Sequence, residues 1–134
     1  MNKRLQQLFS DLDRFWNMTT APNLRGEHPG CQIKQSEILE EIVQMDVEDV
    51  KILLNELTDE QLNQIISIVE EIIENFPETA ETFVEINSKR DIYWLNDELK
   101  LLEHFLTIQL RRCEKQVDRG INLRTRWNLL PPLR

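Results

Sequence analysis

The sequence predicts an all-α protein, a single-domain bundle of five or six helices packed around a long C-terminal helix over about 89–119. Three observations predict it. Only three glycines and five prolines occur in 134 residues, and Leu, Ile, Glu and Gln, all tolerant of helix, are abundant. Between 59 and 119 the apolar residues recur at helical rather than strand spacing. Finally, the stretch from Ser88 to Gly120 carries two apolar stripes instead of one. Ile92, Leu95, Leu99, Leu102, Leu106, Leu110, Cys113 and Val117 form the first, and Trp94, Leu101, Phe105 and Ile108 the second. A surface helix needs one stripe, so two imply neighbours on two sides. Asn96, Asp97, Lys100, Glu103, His104, Thr107 and Arg111 are then left for solvent.

In chain order, Asn2 is placed to cap a first helix running to about residue 18, with Leu5, Leu8, Phe9, Leu12, Phe15 and Trp16 on its apolar side. Pro22, Gly26, Pro29 and Gly30 make 19–35 read as a loop. Ser36 is the expected cap of a short helix over 37–45, and Asp46 that of a helix over 47–57. Whether these two run on with a kink stays open. Thr58 and Gln61 form a capping box, opening a helix that extends to Phe76. Its apolar side is Leu62, Ile65, Ile66, Val69, Ile72, Ile73 and Phe76, and its polar side carries Asp59, Glu60, Glu70, Glu71 and Glu74 without a cation. Pro77 ends it and starts the next helix, 78–87, which would bury Ala80, Phe83 and Val84 and show Glu78, Glu81 and Glu85. Ser88 then caps the long helix and Gly120 ends it. The tail, 121–134, holds Trp127, Leu129, Leu130, Pro131 and Pro132; docking onto the bundle and exposure for recognition are both open.

Composition narrows function by exclusion. No apolar run approaches the roughly 20 residues of a membrane span, and the start has no secretory core, so the expected location is the cytoplasm. Cys31 and Cys113 read as reduced thiols. His28 and Cys31 share the loop with no base held against the thiol, which nucleophilic catalysis requires. Neither His28 nor His104 lies in a Glu-x-x-His spacing, so no metal site is expected. No phosphate-binding glycine loop is present, and no cofactor or enzymatic activity is expected.

Charge is what remains. Between 37 and 85 there are 15 acidic residues against Lys51 alone, whereas 111–134 has seven basic and two acidic residues. An acidic centre repels phosphates, so nucleic acid is not the expected direct partner. It attracts a basic protein, and complementary fields speed the encounter. The candidate contact residues are Glu60, Glu70, Glu71 and Glu74, with Glu78, Glu81 and Tyr93.

In size, charge and helicity the chain resembles the immunity proteins that bacteria make against nuclease and other toxins. Asp91-Ile92-Tyr93-Trp94 is similar to the acidic and paired-aromatic patch with which nuclease-colicin immunity proteins grip their toxins. In this sequence the patch opens a long helix rather than a short one followed by proline. The resemblance implies an inhibitor that covers its toxin's active site or an adjacent surface, with Tyr93 the better placed of the two aromatics to make contact. Two other readings stay open: a DNA-mimic inhibitor of a nucleic-acid-binding protein, and a structural or regulatory module that homodimerises or recruits a partner through its tail.

Overall fold

A computed structural model describes residues 1–18 and 25–103. The fold is all-α, and the described residues contain seven α-helices and one 3₁₀ turn. The expectations for His104, for the continuation of the long helix to Gly120 and for the tail at 121–134 lie outside the described residues.

Helix α1, Lys3–Trp16, is capped as anticipated: the Asn2 side chain accepts from the Leu5 amide at 2.8 Å. It buries Leu5, Leu8, Phe9 and Leu12 and packs mainly on α2, Pro29–Ile42. The expected loop over 19–35 is therefore shorter at its C-terminal end. Pro29 suits the first turn of a helix, where no amide hydrogen is needed, and His28 supplies the cap by accepting the Gly30 amide at Nδ1, 2.9 Å away. The His28 ring stacks on Phe15 with centroids 4.8 Å apart. Gly30 has to be glycine because a Cβ would meet the Phe15 ring at 2.8 Å. Ser36 is thus inside α2 instead of capping a helix over 37–45. Helix α2 ends at Ile42, a turn follows, and α3 runs Val47–Glu56. The two segments are separate helices.

The capping box at Thr58 and Gln61 is present, with both reciprocal bonds, at the start of α4, Asp59–Gln64. The single helix expected up to Phe76 is not. A 3₁₀ turn at Ile66–Ile68 divides it, and α5 follows at Val69–Asn75. The Ile65 and Ile68 amides bond three residues back, to Leu62 and Ile65, which tightens the winding and re-aims the polar side between α4 and α5.

Helix α6, Thr79–Arg90, corrects two expectations. It continues through Ser88, so that residue caps nothing, and the long helix does not start at 89. Asp91 turns left-handed at φ 55° and breaks the chain before α7, Tyr93–Leu101. Asp is one of the few residues that visit this conformation readily. Second, α6 is buried on nearly every side. Glu81, Thr82 and Asn87 are enclosed along with Ala80, Phe83, Val84 and Ile86, so Glu81 is not the surface residue that helical periodicity implied. The first stripe of α7 is confirmed at Ile92, Leu95, Leu99 and Leu102, all buried. Leu101 of the second stripe is 82% exposed. Asn96, expected in solvent, is buried and accepts from the Asn87 amide at 3.1 Å across the α6–α7 corner. One contiguous core joins α1 to α7, with α3 packed on α6, α2 on α5, and α4 on α7.

Candidate functional site

The candidate acidic residues separate into four environments. Glu70, Glu71 and Glu74 lie on α5, exposed, and form no ion pair among the described residues. Glu60 lies on α4, also exposed, where its carboxylate accepts weakly from Gln64 Nε2 at 3.4 Å. Glu78 precedes α6 and is half-buried against Lys51, 3.1 Å away. Glu81 is inside. Tyr93 opens α7 with 78% of its surface exposed. The set expected to work together is therefore centred on α5, with Tyr93 an exposed aromatic on α7.

Lys51 explains why Glu78 is a poorer contact residue than the α5 carboxylates. Burial is the largest influence on its ammonium and pulls the pKa down. The Glu78 and Glu48 carboxylates outweigh this together and hold the group above its ordinary value. Glu78 is thus half-neutralised within the fold. No such cation sits beside Glu70, Glu71 or Glu74 among the described residues.

Sequence reasoning missed Glu98. It is half-buried on α7, and burial first, then the charges of Glu70 and Glu71, push its carboxyl above the usual range. Three carboxylates from two helices consequently share one negative field. The signal was available in part: Glu98 precedes Leu99 and follows Leu95 by three residues, which places it on the border of the buried stripe. Which helix would face it was not legible. Because the folded protein holds this proton more tightly than the unfolded chain, Glu98 costs stability as pH rises from the ordinary carboxylate range through the raised value. Glu98→Gln is expected to melt higher than the wild type at pH of about 7 and to lose that advantage as pH falls to about 3, below the ordinary carboxylate value, where the carboxyl is protonated in both states. Thermal melts across that range measure it; equal melting temperatures throughout would contradict the repulsion.

Two clefts flank these residues. Glu71 shares a cavity of about 460 Å³ with His28, Gln35 and Ser67. Glu60 belongs to a different one, of about 410 Å³, against α1. Cys31 is buried in α2, and burial raises its thiol pKa against the lowering effect of hydrogen bonding to the His28 backbone, so little thiolate forms at neutral pH. Among the described residues no group of three or more His, Cys, Asp or Glu could hold a metal, and no helix is long and apolar enough to cross a membrane. No known protein family, curated protein or solved structure matches this chain.

Proposed function

We propose that this chain is a non-enzymatic binding protein, an immunity protein that neutralises a cognate bacterial toxin by covering a basic active-site or adjacent surface with acidic helical residues. The observation that carries the reading is the group Glu70, Glu71 and Glu74, all exposed and without an ion pair among the described residues; Glu70 and Glu71 add their charge to the burial that raises the Glu98 carboxyl. Concentrated like charge opposes compaction, so a fold that keeps it loses stability in isolation. A cationic partner removes that loss on binding and is drawn in faster by the same field. A nuclease suits the role because a surface evolved to hold phosphates is basic. Tyr93 adds an exposed aromatic of the kind that anchors protein interfaces, and Glu60 extends the negative surface onto α4. Glu81 has no part in this contact, and Glu78 a lesser one. In this reading the protein is a single domain that acts in the cytoplasm as a 1:1 complex and uses no cofactor.

The test is the triple replacement of Glu70, Glu71 and Glu74 by Gln. With the basic partner purified from the native host, association should slow by about tenfold or more at low salt, and its salt dependence should flatten. The fold should be kept, since all three residues are on the surface. Unchanged association rates would reject α5 as the contact. Displacement of the partner by duplex DNA would favour a DNA mimic, and a concentration-dependent mass without any partner would favour a homodimer.

A further inference from the structure

The cleft between α1 and the start of α4 has a composition of its own. Its volume, about 410 Å³, falls within the roughly 300–1,000 Å³ typical of small-ligand sites. Phe9, only 3% exposed, and the Gln64 side chain, 1% exposed, lie at its base. Asp13 and Glu60, both exposed, line it from opposite helices. The Gln64 amide joins them: Nε2 donates to Asp13 Oδ1 at 2.8 Å and to Glu60 Oε1 at 3.4 Å. Gln64 is itself held, because its backbone carbonyl accepts from Gln35 Nε2 at 2.8 Å.

A neutral amide can bring two carboxylates to one cleft but cancels neither charge. Among the described residues, the N-terminal ammonium is paired with Glu56 at 3.6 Å, and Arg14, one position after Asp13, with Asp11 at 3.7 Å. Neither Asp13 nor Glu60 forms an ion pair among the described residues. Asp13 Oδ1 also accepts from Asn17 Nδ2 at 3.2 Å, which leaves Oδ2 as its acceptor for a ligand, and the Glu60 carboxylate has further lone pairs beyond the one that faces Gln64. The cleft therefore offers the Phe9 ring at its base and two acceptors on separate walls.

We infer that this cleft receives an arginine side chain of the basic partner, its guanidinium between Asp13 and Glu60 and its alkyl stem against Phe9. The inference rests on the acidic-inhibitor reading and adds a subsite to it. A guanidinium fits better than an ammonium. Its planar fork carries five donors in fixed directions, so one group addresses carboxylates on two helices at once. It is also more weakly hydrated and loses less on approaching an aromatic base.

The experiment follows the Gln64 side-chain amide of the full chain by nitrogen-15 NMR. The probe is arginine capped as its N-acetyl, N-methylamide derivative, added at low ionic strength, with the equally capped citrulline as its uncharged isostere. The arginine probe should shift the Gln64 amide signals saturably and the citrulline probe should not. Asp13→Asn and Glu60→Gln should each weaken the effect by roughly two- to fivefold, and the double variant should abolish it while the remaining spectrum stays native-like. A missing or unsaturable shift, an equal response to citrulline, or an undiminished response in the double variant would overturn the subsite. Shifts confined to α5 would sink the cleft and spare the acidic face. Saturable shifts at Gln64, combined with unaltered partner association in the triple α5 variant, would do the reverse.

Discussion

Replacing Phe83 by alanine should destabilise the protein by about 3–5 kcal/mol, the largest single effect expected from any side chain described. Phe83 is fully buried near the middle of α6, and α6 packs against α3, α5 and α7. Truncation removes the transfer free energy of the ring and leaves a cavity. Three neighbouring helices would have to move together to fill it, so little relaxation is expected. Against a total stability of about 5–15 kcal/mol for an ordinary domain, such a loss leaves a marginal fold. Chemical denaturation gives the value, as a lower midpoint at an unchanged slope. The control is Tyr93→Ala: with 78% of its surface exposed, Tyr93 should change stability by no more than about 0.5 kcal/mol. If Phe83→Ala behaved like that control, α6 would not be the buried helix described above.

That α6 is enclosed accounts for most of what the sequence could not disclose. Helical periodicity assigns a wet and a dry side, and it worked for α1, whose neighbours lie on one side only. It failed for α6 at Glu81 because that helix is enclosed on nearly every side, and for α7 at Asn96 because a buried amide partner, Asn87, satisfies it. Caps were legible at Asn2 and at Thr58 with Gln61, since the donors and acceptors of a cap are neighbours in sequence. Breaks were not. The left-handed Asp91 leaves the apolar spacing from Ile92 to Leu95 intact, and the 3₁₀ turn at Ile66–Ile68 shifts winding without interrupting the run of Ile and Val. Pro29 and Gly30 read as loop because their use in a first turn beneath Phe15 depends on where α1 lies. For the site, the acidity of α5 was plain from composition. Its meeting with Glu98, and that of Asp13 with Gln64 from 51 positions away, are products of packing.

Arg90→Met should cost about 2–4 kcal/mol, because it removes two charge-assisted hydrogen bonds to backbone oxygens. Arg90 closes the last turn of α6, where its charge also suits the helix end. Its Nη1 donates to the Leu57 carbonyl at 2.6 Å and approaches Asp59 at 3.3 Å, and its Nη2 donates to the Asn55 carbonyl at 2.7 Å. Asn55 and Leu57 belong to the end of α3, whose final carbonyls have no intrahelical partner, and Asp59 begins α4. One side chain therefore fixes the α3–α4 corner to α6. Methionine keeps the length and much of the apolar contact of the stem, so the loss reports the head group and not a cavity. Arg90→Lys should recover less than half of it, since an ammonium is a point donor and cannot span two carbonyls as the fork does. Beyond stability, the same variant should raise hydrogen exchange at the Leu57 and Leu62 amides, which bond across the ends of α3 and α4. Unaltered exchange there, with Arg90→Met as stable as the wild type, would mean that the corner is held by apolar packing at Leu54, Leu57 and Leu62 alone.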